Sequence, residues 1–282
     1  MVVHELAGHG GTAVVLGGHI DQVKLFWFGG GWVSYHAASW STAEILAVTL
    51  GGIATEWIAA AILVAIARRR AGLAKLVLLG AAVGFAIHGG MYLAVGTYYG
   101  SGDGTILHHL LGDWRPLVWA PAAAICVGAA WLGAQAVIPI LRAYAPARSQ
   151  LALIGAAMVL GGALHVGLLV AEQKLRADPV YTAIMKTEGQ RQVEHDVATA
   201  RAQNPQASAE QIEQIRRSSE QKHKPFPFAP LLIALIAASA IASMMRTRPA
   251  EAPAGLPWRD LRLPALVAAI GIFLVGLIDA LA

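Results

Sequence analysis

The chain contains an uninterrupted apolar run, ILAVTLGGIATEWIAAAILVAIA, at residues 45–67, and Arg68-Arg69-Arg70 follows it directly. A helix needs about 20 consecutive apolar residues to cross the hydrocarbon core of a bilayer. The three arginines fit the end of such a helix, because cationic residues collect in the loops that flank membrane spans. The sequence therefore predicts a membrane-spanning helix here.

The same pattern recurs along the chain, whose 282 residues are 56% hydrophobic and only 13% charged. Five further apolar runs are predicted spans, and they cover residues 73–95, 117–141, 151–171, 230–245 and 263–282. The short N-terminal segment 2–16 is a seventh candidate. We therefore expect an all-α polytopic membrane protein with six to seven transmembrane helices, integral to a bacterial inner membrane as a multi-pass protein.

The positions of Lys and Arg predict the orientation of these spans, because cytoplasmic loops carry the excess of both residues. If the spans alternate, the basic loops after the spans 45–67, 117–141 and 230–245 all lie on one side, which should be cytoplasmic. The net charge of +4 mostly reflects these loops. No basic stripe interleaves with aromatic residues, so nucleic-acid binding is not expected.

One sizeable polar segment covers residues 173–225 and is predicted to be non-cytoplasmic. Thr187–Gln203 is typical of a helix that ends at Asn204-Pro205, and Ser208 opens a second helix with a capping box. Few large apolar residues are present, so the segment cannot form a core alone. It is either a solvated helical hairpin or partly disordered loop, or an element that docks a membrane-complex partner or gates a substrate.

The sequence thus divides into four segments. Residues 1–112 carry the motifs described next, and two further transmembrane helices lie in 113–172. The polar segment 173–225 follows, and a pair of transmembrane helices in 226–282 ends the chain.

A group of ionisable residues, His4, Glu5 and His9, opens the apolar N-terminus. Such residues are costly in a membrane segment and point to function. A His-Glu pair followed by a second His about one turn later is typical of zinc hydrolases. Here the histidines are five residues apart and diverge by about 140° in an ideal α-helix. A π-bulge would return them to one side, so the sequence predicts either that geometry with a shared metal or a metal-free polar cluster.

A β-hairpin is predicted after this group. Gly29-Gly30-Gly31 separates two segments, 23–28 and 32–35, that are rich in aromatic and β-branched residues. Such backbone at membrane depth must be shielded by protein or line a polar cavity. Beside a metal site, the hairpin would be suited to pair with an extended peptide by strand addition.

In this order, the motifs resemble the site-2 protease group of intramembrane zinc metallopeptidases, most closely its short bacterial branch. The motifs are His-Glu-x-x-x-His, Leu-Gly-Gly-His-Ile at 16–20, Gly-Gly-Gly-Trp-Val at 29–33 and Leu-Gly-Gly-Ile at 50–53, within roughly residues 1–112. The resemblance implies a zinc metalloendopeptidase that acts on a transmembrane or membrane-adjacent peptide, surrounded by membrane lipid.

The resemblance also implies roles for individual residues. His4, His9 and Asp103 would bind Zn²⁺, and Asp103 is the match because it lies in Ser-Gly-Asp-Gly at 101–104. Glu5 would be the general base that activates water at the metal.

Other ligand assignments stay open at this stage. Asp103 lies in a glycine-rich loop, where Asp is ordinary turn chemistry. His108 and His109 follow shortly after it and would be substitute ligands. Glu56, inside a span, should be functional or paired, with His88 or the metal cluster as its partner.

Two other functions also stay open. One is a catalytically inactive relative that serves as a scaffold or accessory subunit of a membrane complex. The other is a haem- or quinone-associated redox subunit, with His88 and His165 as axial ligands.

Overall fold

The computed structural model describes residues 2–27, 29–144, 160, 164, 166–246, 270 and 273. These residues are mostly helical and include one two-stranded sheet. They form two compact units. The first unit contains the described parts of Met1–Gly90, Ala124–Asp178 and Leu235–Ala282, and the second contains Met91–Ala123 and Pro179–Ala234. The boundary after Gly90 falls inside the segment 1–112 that the sequence motifs group together.

Most of the chain's elements are helices, and residues 166–176 are helical as well. In chain order, the elements are a π-helix (Val2–Gly10), α1 (Gly11–Val15), β1 (His19–Leu25), β2 (Gly31–His36), α2 (Thr42–Ala67), α3 (Gly72–Tyr99), α4 (Gly104–Leu111), a 3₁₀ turn (Gly112–Trp114), α5 (Pro116–Tyr144), α6 (Pro179–Met185), α7 (Glu188–Gln203), α8 (Ala209–Lys222) and α9 (Phe228–Arg246).

Four helices, α2, α3, α5 and α9, are long and apolar enough to cross a membrane. The chain is therefore a helical membrane protein, and these helices coincide with four of the predicted runs. The runs 151–171 and 263–282 lie largely outside the described residues. The N-terminal segment forms nine π-helical and five α-helical residues, fewer than the roughly 20 that a spanning helix needs. The total of six to seven spans stays a prediction.

The first unit contains the predicted hairpin. β1 and β2 pair antiparallel, in a register that runs from His19 opposite His36 to Leu25 opposite Gly31. The three glycines at 29–31 have φ angles of 141°, 94° and 155°. Residues with a side chain rarely adopt such angles, so the turn requires glycine.

Two buried carboxylates hold this hairpin to the chain around residues 172–178. The Asp178 carboxylate accepts the Trp32 indole N–H at 3.3 Å and pairs with the Lys24 ammonium at 3.1 Å. The Glu172 carboxylate accepts the backbone N–H of Trp27 at 2.8 Å. These partners satisfy polar groups near the turn of the hairpin. Lipid could not supply hydrogen bonds to them.

Helices α5 and α9 are joined in the first unit by hydroxyl groups. Ser239 donates its hydroxyl to the Val127 carbonyl, and Ser243 donates to the Trp131 carbonyl, both at 2.9 Å. Small hydroxyl residues let apolar helices approach closely and add a hydrogen bond at each contact.

The second unit contains the polar hairpin of α7 and α8. Thr187 and Ser208 each cap their helix in a capping box, and the sequence predicts the one at Ser208. Val193, Val197 and Ile212 are buried in this unit. The hairpin is thus an ordered pair of helices rather than a disordered loop.

Hydrogen bonds connect the polar segment to the end of α3 within the second unit. The Arg191 guanidinium donates to the Gly100 carbonyl at 2.8 Å, and the Gly102 N–H donates to the Ile184 carbonyl at 3.0 Å. The Tyr99 hydroxyl donates to the Phe226 carbonyl at 3.1 Å. These contacts explain how a segment with few apolar residues is held in place.

Cysteine accessibility tests the predicted orientation. Cys126 is the single cysteine of the sequence, so a Cys126→Ala background gives a protein without thiols. In that background, we expect Ser208→Cys to react with a membrane-impermeant maleimide on intact cells, and Arg69→Cys to react only after permeabilisation. Labelling of both positions from one side would contradict the alternation of spans. Arg148, a third position in the same prediction, lies outside the described residues.

Candidate metal site

The π-helix brings His4 and His9 together. Its hydrogen bonds run between residues five apart, so a residue and the fifth one after it lie near the same side. The two Nε2 atoms are 3.2 Å apart, and the rings meet edge to face with centroids 4.8 Å apart. Both side chains are buried. The π-helical backbone that the stretched spacing demands for a shared site is therefore present.

The π-helix approaches α2 backbone to backbone. A Cβ atom on Gly51 would lie 2.7 Å from the Gly8 carbonyl oxygen, and one on Gly8 would lie 2.7 Å from the Gly52 nitrogen. The Thr55 hydroxyl lies 3.1 Å from the Val3 carbonyl oxygen. Glycine on both helices is thus what allows this approach.

Gly52 also makes room for the histidines. A Cβ atom at this position would lie 2.7 Å from the Nε2 atoms of both His4 and His9. The two imidazoles therefore point into space that any larger residue on α2 would fill.

The Nδ1 atom of His9 has a hydrogen-bond acceptor, and the Nδ1 atom of His4 faces a carboxylate at a longer distance. His9 Nδ1 donates to the Val48 carbonyl at 2.8 Å, and His4 Nδ1 lies 3.5 Å from Glu56 Oε1. Histidines that bind metals usually donate the second ring N–H to a carbonyl or a carboxylate in this way. With the protons of both rings on Nδ1, the two Nε2 atoms would meet as lone pairs.

Two lone pairs at 3.2 Å repel unless a proton or a cation lies between them. Two nitrogens bound tetrahedrally to one zinc ion at 2.0–2.1 Å would be about 3.3 Å apart. Imidazole nitrogens are also donors that zinc prefers. The 3.2 Å distance between the two Nε2 atoms therefore fits a zinc ion held by His4 and His9. Protons on both Nδ1 atoms and the space that Gly52 leaves beside the Nε2 atoms fit it as well.

Glu56 is buried on α2, with 1% of its surface exposed. Its carboxylate accepts the Nδ1–H of His88 at 2.8 and 3.0 Å, and it faces His4 as well. The prediction that Glu56 is paired is confirmed, and both expected partners are present.

Glu5 follows the first histidine and is buried, with 5% of its surface exposed. A Cβ atom on Gly31, the first residue of β2, would lie 3.3 Å from Glu5 Cγ. The side chain thus packs beneath the hairpin, in a place that excludes bulk water.

Asp103 belongs to the second unit, where it precedes α4. A Cβ on Gly104 would overlap the backbone of Gly96, so α4 starts in direct contact with α3. The Asp103 side chain makes no capping hydrogen bond to α4. Asp103 lies in a turn, and its role as a zinc ligand with His4 and His9 stays a prediction.

The substitute ligands have other partners in the second unit. His108 donates Nδ1–H to the Thr97 carbonyl at 2.9 Å, and Arg115 Nη1 lies 2.8 Å from its Nε2. Burial lowers the pKa of His108, and the neighbouring guanidinium lowers it further. His109 pairs with Glu188 at 3.4 Å. A guanidinium at the free nitrogen of His108 competes with a metal ion there.

Comparison of the chain with protein-family models, curated proteins and solved structures gives no match. The resemblance to the site-2 protease group therefore rests on its motifs.

Two parts of the site escape the sequence motifs, namely the Val48 carbonyl and the cradle at Gly52. The glycine pair in the apolar run indicates close backbone approach, but it does not say which atoms approach. The His165 position of the haem alternative lies outside the described residues.

Gly52→Ala should abolish metal retention, because the new methyl carbon would lie 2.7 Å from both Nε2 atoms. The matched control is Gly80→Ala on α3, where a Cβ atom would meet nothing within 4 Å. We expect elemental analysis of the purified proteins to find zinc in the wild type and the control only. A Gly52→Ala protein with full zinc content would contradict the assigned site.

Proposed function

We propose that this protein is a zinc-dependent intramembrane metallopeptidase, a multi-pass protein of the bacterial inner membrane. The observation that supports it is the convergence of His4 and His9 at 3.2 Å on a π-helix that contacts a helix of membrane-spanning length. A buried Glu directly after the first histidine completes the group that zinc hydrolases use.

In this proposal His4 and His9 hold the zinc ion, and the resemblance adds Asp103 as the third ligand. Zinc, when bound, polarises a carbonyl and lowers the pKa of water. Glu5 would accept a proton from water and deliver it to the leaving amine. The burial of Glu5 beneath the hairpin keeps other water away from this proton transfer.

The position of the site on α2 indicates where the substrate bond lies. Gly52 is ten residues after the start of α2 at Thr42, about 15 Å along the helix axis. That depth is well inside a hydrocarbon core of about 30 Å. This position along α2 supports the proposal that the scissile bond belongs to a transmembrane or membrane-adjacent peptide.

A metal-free scaffold is the second candidate, and one feature of the site favours it. If His4 carries two protons, it can donate to His9 through Nε2 and to Glu56 through Nδ1, and the network is then satisfied without metal. In that case, the polar hairpin α7–α8 is the surface that we propose for a membrane-complex partner. The redox alternative gains no support from the residues that the structure describes.

Glu5→Gln tests the base. Gln keeps the shape of Glu but cannot accept the water proton, so turnover should fall by about 10²–10⁴-fold. Zinc content and thermal stability should stay near the wild-type values. Mass spectrometry of new N-termini in membranes should find cleavage within or beside transmembrane segments with the wild type and little with the variant. Equal cleavage by the variant would exclude Glu5 as the base.

His9→Ala tests the metal itself. Loss of one imidazole leaves too few ligands to retain zinc, so the purified variant should contain almost none. His36→Ala is the matched control, because His36 lies in the same unit with 64% of its side chain exposed. Wild-type protein with no bound zinc would favour the scaffold.

A further inference from the structure

We infer that Glu56 is a positioning residue for the metal site: its carboxylate fixes the tautomer and orientation of His4, and His88 holds that carboxylate in place. The inference rests on the proposed function and deepens it. It assigns a role to an acidic residue in a span that the zinc motif does not include.

Glu56 and Gly52 lie on the same helix, α2. Glu56 follows Gly52 by four residues, so both lie on the same face of the helix. Gly52 lies against the two Nε2 atoms, and Glu56 lies one turn further along, beside the Nδ1 atom of His4. One helix face thus contacts both nitrogens of the same imidazole.

Burial of the Glu56 carboxylate in a spanning helix costs free energy. An acidic side chain buried in a spanning helix is retained only where it has partners or a function. His88 supplies the closest donor, with both carboxylate oxygens within 3.0 Å of Nδ1. Gly89 gives space, because a Cβ atom there would lie 3.1 Å from Glu56 Oε2. On α3, His88 therefore holds Glu56 in position, and Gly89 leaves room for its carboxylate.

The distance between His88 and Glu56 favours a hydrogen bond over a shared metal ion for this pair. His4, Glu56 and His88 place ligand atoms within 4.8 Å of one another, so a metal cluster has to be considered. His88 Nδ1 and Glu56 Oε1 are 2.8 Å apart, which is the length of a charge-assisted hydrogen bond. Two ligands of one zinc ion would be about 3.3 Å apart.

The Glu56 carboxylate determines which ring nitrogen of His4 carries the proton. A carboxylate beside Nδ1 only accepts, so it retains the proton on Nδ1 and leaves the Nε2 lone pair for the metal. An amide can instead present its NH₂ group to Nδ1, which favours the tautomer with the proton on Nε2. That tautomer cannot bind the metal without losing a proton.

Glu56→Gln should therefore weaken zinc binding by about 10–100-fold, the usual cost of removing a carboxylate that orients a metal-binding histidine. Glu56→Asp keeps the acceptor and should recover part of the affinity. Glu44→Gln is the matched control: it changes the same residue type on the same helix, where Glu44 serves only the capping box with Ser41. A capping box takes Gln as well as Glu at this third helical position, so the zinc affinity of Glu44→Gln should be unchanged.

The measurement uses the full-length protein in detergent. Zinc dissociation constants come from competition with a chromophoric chelator, Co²⁺ spectra report the number and kind of ligands, and melting of the metal-free protein reports stability. His88→Ala provides a second route to the same contact should Glu56→Gln fold poorly. We expect its zinc affinity to lie between those of the wild type and Glu56→Gln.

Each outcome bears on the inference differently. Weaker zinc binding by Glu56→Gln with an unchanged Co²⁺ spectrum supports it. Unchanged affinity with a lower melting temperature makes Glu56 a structural residue and overturns it. A Co²⁺ spectrum that loses an oxygen ligand makes Glu56 a ligand and overturns it too. Wild-type protein that binds no zinc overturns the proposed function and this inference together, whereas the other outcomes leave the proposed function in place.

Discussion

The close approach of two backbones, at Gly8 on the π-helix and at Gly51 and Gly52 on α2, is the constraint on which the site depends. A Cβ atom at any of these positions would meet atoms of the opposite element at 2.7 Å or less. Only glycine permits this packing, and only this packing puts the Nε2 atoms of two histidines against a helix of membrane-spanning length. The π-helical turn and these three glycines are therefore both needed to bring the two histidines together against α2.

Around that contact, His9 and Glu56 have the hydrogen-bond partners that apolar surroundings make necessary. His9 donates to the Val48 carbonyl, and Glu56 lies between His4 and His88. A buried polar group without a hydrogen bond would cost several kcal/mol in hydrocarbon. The same need explains the carboxylates Glu172 and Asp178, which satisfy donors of the β-hairpin.

Local sequence signals predict the elements well wherever the physics is local. The apolar runs correspond to α2, α3, α5 and α9, since a spanning helix needs only length and hydrophobicity. The capping boxes at Thr187 and Ser208 mark the starts of α7 and α8, because a cap is formed within four residues. The three glycines predict the hairpin turn for the same reason.

The sequence by itself determined the membrane class, the positions of the described spans and hairpin, and the group His4, Glu5 and His9. The five-residue spacing also required π-type helical geometry for the two histidines to meet. In an ideal α-helix, side chains five residues apart diverge by about 140°. Only the tertiary structure decided that Gly52 forms the cradle and that Val48 and Glu56 hold the outer ring nitrogens. These contacts join residues about 40 or more positions apart, and their pairing depends on how whole helices pack, which no local pattern encodes.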